Sequence, residues 1–344
     1  RRARPRRAAA VACGPPGERY RGASKEVGDG NDEVPAASLE AEFAATARLS
    51  EPVFALESLV SDVQDEDHIS LLECSICIAR CGNPALDAEA VRAQVDEMAR
   101  QLLETLPPYE ERHPLRVIKC INEYLYDTCG FAGDTEDYYN PANSYVDQVL
   151  ARRRGIPISL AILYMELAAR CGLDMVGVNF PSHFMVRPRA GAEFLVDVFG
   201  RGEVLFVEDV EQRFGEHMAR QRGAKVQIDR SFFEDGASHK RTILTRCLQN
   251  LKATYMSRTE HRDPEKVLLL CRMQDVAAPP YARPKVRGVN LRDRGIANYN
   301  LGRLSDARDC LAAYQSACPG ASDAPMIGSL LKGIERQIDG PPPS

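Results

Sequence analysis

The chain has no tryptophan and no run of 18 apolar residues, so a membrane-spanning helix is not expected. The longest apolar stretch, Ile156 to Ala169, is too short and is interrupted by Glu166. There is no surplus of positive charge: the net charge is −5, and outside the first residues no basic face dominates. That argues against a nucleic-acid partner, because phosphate binding needs such a face. The eleven cysteines are odd in number and scattered, which does not suit a disulfide framework. Cys74, Cys77 and Cys81 form a CxxCxxxC run, but no second CxxC and no HxxxH completes it, and a structural zinc site needs four ligands. At helical spacing the three thiols share one face and read as small core residues, with zinc or redox use the minority reading. No metal and no cofactor is expected.

What is present is an ordinary globular composition, 44% hydrophobic and 27% charged over 344 residues, with length enough for two domains. Residues 1–22 hold seven arginines and one acid, Glu18, around an Ala-rich centre. Such a composition fits an organelle transit peptide with a plastid destination, and equally a disordered extension. From Ala37 helical periodicity takes over, with apolar stripes in Ala37–Leu49, Leu56–Val63, His68–Cys81, Leu86–Leu106, Leu115–Thr128 and Ser144–Arg153. Gly130 to Asn140 reads as an acidic, aromatic loop. Strand-like runs begin only at Val176–Phe180, followed by His183–Arg187 and Glu193–Val198.

Between these halves lies Ile156–Ala169, apolar almost all round and therefore a buried helix. Pro157 suits its first turn, and Gly172 suits a left-handed C-cap. His183 and Asp197 stand 14 residues apart, the span of a strand, a turn and a returning strand, so the imidazole and the carboxylate can lie side by side. A nucleophile at the start of the buried helix would complete a hydrolase or acyl-transferase triad, because the free NH groups and dipole there favour an anion.

The stretches NSYVDQVLARRRGIPISLAILYMELAARCGL, GVNFPSHFMVR and FLVDVFGRG resemble the SirB-type transglutaminase-like family. Its bacterial members join this papain-related core to tetratricopeptide-like helices, and some eukaryotic F-box proteins carry the same domain. The likeness runs from about residue 55 to 335. Ser182 and Val198 stand where that family usually has Gly and Pro. Transglutaminases place a Cys at the start of the helix, and here that turn reads Gly155-Ile156-Pro157-Ile158-Ser159. Cys171 lies twelve residues beyond Ser159, roughly 18 Å along a helix. Ser159, His183 and Asp197 are therefore the candidate catalytic set. The competing reading, favoured here, makes Ser159 a first-turn cap and His183 with Asp197 a structural pair, since ancestry does not carry chemistry without its nucleophile. Arg152, Arg153 and Arg154 read as a solvated basic face before the helix.

Residues 241–335 turn helical. In LRDRGIANYNLGRLSDARDCLAAYQSACPGA, the residues Gly295, Tyr299, Gly302, Ala307, Leu311 and Pro319 match a tetratricopeptide unit, with Tyr314 where a small residue is usual. A degraded unit runs from Leu244 to about Pro279, and Ala277–Gly288, with three prolines, reads as a loop. Two units fall short of a free-standing solenoid, so the tail is expected to lean on the core.

The expected architecture is α+β: a mainly helical N-terminal half, a papain/transglutaminase-like core with a small antiparallel sheet, and C-terminal helical hairpins of tetratricopeptide type. The expected domains are an extension at 1–37, the transglutaminase-like domain at 38–235, the helical region at 241–335 and a tail at 336–344. The expected function is a non-catalytic adaptor or regulator with a protein or peptide partner on the helical region. The alternative is an enzyme using Ser159, His183 and Asp197.

Overall fold

The computed structural model describes residues 50–61, 63, 65–180, 183–190, 193–206, 208–210, 212–213 and 237–339. The N-terminal extension, the helix expected over Ala37–Leu49, Ser182 and the last five residues lie outside the described residues.

The helical half comprises α1 (50–60), α2 (Leu71–Arg80), α3 (Ala88–Thr105), α4 (Pro114–Asn122) and α5 (Val146–Arg152). Each start has a local cause. The Ser70 hydroxyl accepts from the Glu73 NH at 3.2 Å, Asp87 caps α3 through the NH groups of Glu89 and Ala90, and Pro114 occupies the first turn of α4. The stripe expected to run as one helix to Thr128 changes pitch instead. After Asn122 it widens into a π-helical turn, Glu123–Thr128, where Cys129 NH reaches Tyr124 O at 2.8 Å. A two-stranded parallel ladder, β1 (Ala132–Gly133) with β2 (Arg154–Gly155), leads into α6 (Pro157–Arg170).

Ten of the 14 residues of α6 are buried, as its composition requires. It ends at Gly172, with φ +81°, where Leu173 NH bonds Ala168 O at 2.9 Å. It packs on one side against α2, α3 and α4, and on the other against an antiparallel sheet. The sheet order is β6 (Glu203–Phe206), β5 (Phe194–Asp197), β4 (His183–Pro188), β3 (Met175–Phe180), β7 (Ala237–Ser238). Gly177 in β3 is required by close approach: a Cβ there would lie 2.4 Å from the Phe184 ring.

Two helical hairpins follow, α7 (Lys240–Ser257) with α8 (Pro264–Ala277) and α9 (Arg283–Asn300) with α10 (Leu304–Ala317), and then α11 (Ala324–Asp339). The loop expected over Ala277–Gly288 shrinks to a few residues, because Pro284 sits in the first turn of α9, where a proline costs no hydrogen bond. The main core is continuous from Leu56 on α1 through α6 to Leu270 and Met273 on α8. Its seam is closed by Tyr145 and Tyr255, whose hydroxyls lie 2.7 Å apart, and by Cys81 Sγ against Met273 Sδ at 3.3 Å. Helices α9 to α11 hold a small cluster of their own, around Ala307, Leu311, Tyr314, Ile327 and Ile334. Tyr314 fits despite its size because its hydroxyl leaves that cluster to donate to Asp323 at 2.6 Å.

Candidate functional site

Ser159 stands at the third position of α6, and its hydroxyl is engaged three times, each time by backbone. It accepts from Ile156 NH at 3.1 Å, and its proton faces Asn143 O at 2.6 Å and Ile156 O at 3.1 Å. This is half of a capping box; Ile156 has no side-chain acceptor to return the bond. Gly155 is glycine because a Cβ would lie 2.8 Å from that hydroxyl.

Asn143, fully buried, is the hub of this end of α6. Its Nδ2 donates to Asp137 O at 2.8 Å, its Oδ1 accepts from Arg152 at 2.9 Å, and its carbonyl receives Ser159. Arg152 also reaches Asp134 at 3.3 Å, and Asp134 Oδ1 accepts the Asp137 NH at 2.9 Å. Burial alone would raise the Asp134 carboxyl; these hydrogen bonds and the Arg152 charge outweigh it and hold it below its ordinary value. Arg152 therefore belongs to an internal network, whereas Arg153 and Arg154 are exposed. The aromatic loop closes on the same end: Tyr138 meets the Phe199 ring edge-on at 6.1 Å, and the Arg258 guanidinium lies 3.9 Å above Tyr139.

His183 opens β4 opposite Phe180. The pairing of Val186 with Val196 sets Met185 opposite Asp197, so His183 and Asp197 fall on one face of adjacent strands, one diagonal step apart, on the order of 7–8 Å between backbones. The Asp197 carboxylate is buried and caps the turn after β5, accepting from Phe199 NH at 3.1 Å and Gly200 NH at 3.0 Å, while its carbonyl accepts from Gly202 NH at 2.8 Å. Val198, also buried, receives the Tyr126 hydroxyl on its carbonyl at 2.8 Å. Asn122 completes the frame: Nδ2 donates to Gly202 O at 2.8 Å, and Oδ1 accepts the Tyr164 hydroxyl at 2.9 Å. Burial pushes the Tyr164 and Tyr126 phenols well above their ordinary values, the Asp197 charge adding to the rise at Tyr126, so both remain donors.

For serine chemistry a base must take the Ser159 proton. Here that proton is directed at Asn143 O, and the rest of the network is built on the same residue. Cys171 is at the opposite end of α6, its thiol pushed up to about 11 by burial. Cys74 and Cys81 are buried thiols pushed up to about 12, protonated at neutral pH and packed as core. A cavity of about 430 Å³ opens on the flank of α6, but it contains none of Ser159, His183 or Asp197, and its Arg189 is paired with Asp67 at 2.8 Å and with Asp174.

The hubs Asn143, Asn122 and Tyr164 escaped the reading of the sequence. Tyr164 carried the one available signal: a hydroxyl inside an otherwise apolar helix needs a partner.

A family profile described as the Transglutaminase-like superfamily matches residues 89–249, from α3 into α7. A UPF0162 protein of Xylella fastidiosa is 34% identical over 282 residues, covering 79% of this chain and 92% of that protein. F-box only protein 21 of Homo sapiens is 35% identical over 184 residues, 45% of this chain but only 29% of that protein. A UPF0162 protein of Vibrio cholerae is 33% identical over 124 residues, 36% of this chain and 45% of that protein. No solved structure matches. No helix among the described residues is long and apolar enough to cross a membrane. The chain belongs to the UPF0162 family, and its centre is a transglutaminase-like domain.

Proposed function

We propose that this chain is a non-catalytic transglutaminase-like protein that acts as an adaptor or regulator, taking a protein or peptide partner on its C-terminal helical hairpins. The observation that carries this reading is the Ser159 hydroxyl, used entirely to hold the start of α6 to Asn143 and Ile156. Asp197 Oδ1 accepts from two backbone NH groups of its own turn. The tetratricopeptide character of the hairpins is part of the proposal. It is supported by Gly295, where a Cβ would lie 2.5 Å from the Leu311 side chain, so the two helices of that hairpin approach as closely as such a unit needs. The Arg-rich start motivates a plastid destination, and the bacterial relatives weigh against it.

The test is labelling with a fluorophosphonate serine probe, read by mass spectrometry of the tryptic peptides. The expected result is no adduct at Ser159. An adduct at Ser159 that disappears in His183→Ala would overturn the reading and restore Ser159, His183 and Asp197 as a catalytic set.

A further inference from the structure

Between α7 and α9, on the side facing the end of β3, lies a groove of about 340 Å³. Each helix presents one face to it. From α7 come Thr242, Thr245, Arg246 and Gln249, at the i, i+3, i+4, i+7 spacing of a single helical face, and from the start of α9 come Lys285, Val286 and Val289. Between them Gln274 of α8 forms part of the wall. It is 2% exposed, its Nε2 donates to Thr245 O at 3.2 Å and Gln249 Oε1 at 3.1 Å, and its Oε1 has no hydrogen-bond partner among the described residues. A buried amide oxygen left without a donor is costly, and a ligand NH is the natural remedy.

The charge around the groove is one-sided. Arg246 and Lys285 are the charged residues of its lining, α9 adds Arg283 and Arg287, and Asp275, which accepts from the lining Asn290, is itself paired with Arg294 at 2.8 Å. This stands out in a chain whose net charge is −5. Lys285 is exposed and forms no ion pair among the described residues, and the Arg246 guanidinium lies 5.5 Å over the Phe184 ring. The valines, Pro279 and the 71% exposed Tyr281 give the rest of the groove an apolar character, which suits a side chain better than a run of phosphates.

We infer that this groove is a docking site for an acidic peptide segment of a partner protein. An apolar side chain of the peptide lodges against Val286 and Val289, a backbone NH satisfies Gln274 Oε1, and Asp or Glu residues face Lys285. The inference rests on the adaptor reading and supplies the chemistry of its partner.

The test is a bead-displayed library of random decapeptides sorted on the whole chain, with selected peptides measured by fluorescence anisotropy against the wild type, Lys285→Glu and Val289→Lys. The expected selection is Asp/Glu-rich with one apolar residue. Binding is expected to fall roughly two- to fivefold in Lys285→Glu, the scale of one exposed charge contact, and further in Val289→Lys, which fills the groove. Failure to enrich acidic peptides, or equal binding by both variants, would overturn it. So would tighter binding of a 20-nucleotide oligothymidine lost in Lys285→Glu, or a concentration-dependent dimer lost in Val289→Lys, which would give the groove to nucleic acid or to a second copy. None of these results bears on serine labelling, so the docking site and the non-catalytic reading fail separately.

Discussion

At the amino-terminal end of α6, Ser159, Asn143, Arg152 and Asp134 spend their polar groups on one another and on the backbone around them. On the α7–α9 face, a buried amide oxygen is left over and an exposed lysine has no counter-ion among the described residues. The first region carries the motifs by which the chain is identified; the second has no motif that names a ligand. A signature can therefore record the demands of a fold, here a cap and a hub that start a buried helix. A binding surface shows itself through what remains unsatisfied.

The comparison can be broken most forcefully beneath the groove. Lys252 is fully buried; its ammonium lies 2.7 Å from Asp293 and donates to Asn290 Oδ1 at 2.7 Å, and Asn290 in turn lines the groove. Lys252→Ala leaves Asp293 in the interior with Arg292 as its remaining counter-ion and is expected to cost about 3–5 kcal/mol in urea unfolding. Lys252→Met combined with Asp293→Leu should recover most of that loss. If Lys252→Ala were harmless, the groove would not rest on a rigid floor.

Gly202→Ala attacks the other region at the turn that holds Asp197. Gly202 has φ +73°, and a Cβ would fall 2.0 Å from Asn122 Oδ1. Left-handed strain and displacement of Asn122 from Gly202 O and Tyr164 together should cost roughly 2–4 kcal/mol in thermal or urea unfolding. Peptide binding by the protein that remains folded should not change. Ser159→Ala comes next, with an expected loss of about 1 kcal/mol by the same measurement, the usual worth of a capping hydroxyl. A catalytic role would instead show as lost activity with little loss of stability.

Acid should loosen the fold where depressed carboxyls hold it, at Asp134 and at Asp323. Burial alone would raise the Asp323 carboxyl, but the Tyr314 hydroxyl and the Arg292 guanidinium outweigh it and hold it below its ordinary value. A carboxyl depressed in the folded state contributes its full stability above its unfolded value, near pH 4, and loses it as pH falls through the lower folded value. Hydrogen-exchange protection factors, which correct for the slower intrinsic exchange in acid, are expected to fall, below about pH 4, across Ala324–Asp339 and at the start of α6, where Asp134 is held down in the same way. Protection unchanged across Ala324–Asp339 would mean that Asp323 does not hold α11 in place.

The helical half, the buried α6 and three strands of the antiparallel sheet, β3, β4 and β5, were legible as periodicity, because each buries one face and repeats accordingly, whereas β6 and β7 were not read. The pairing of His183 and Asp197 to adjacent strands was legible from their spacing. What stayed hidden depends on contacts distant in sequence: Asn122 with Gly202, Tyr164 with Asn122, Lys252 with Asp293. The start of α9 was hidden for a different reason. A cluster of prolines is read as a loop signal, yet a proline such as Pro284 is equally at home in a helix's first turn. For Ser159, the sequence posed cap against nucleophile, and only the position of the Asn143 carbonyl gives the hydroxyl its structural use.

The smallest expected effect on stability is also the sharpest test of the contrast. Lys285 is exposed, pairs with nothing among the described residues and lies on the first turn of α9. Lys285→Glu should change unfolding stability by no more than about 0.5 kcal/mol, as for most surface substitutions. The same change should weaken acidic-peptide binding, because it reverses a charge the fold does not use. At the start of α6 the opposite pattern is expected, with Ser159→Ala costing stability and leaving binding alone. If Lys285→Glu proved destabilising while binding persisted, the lysine would belong to the fold, and the α7–α9 face would be spending its polar groups internally just as the end of α6 does.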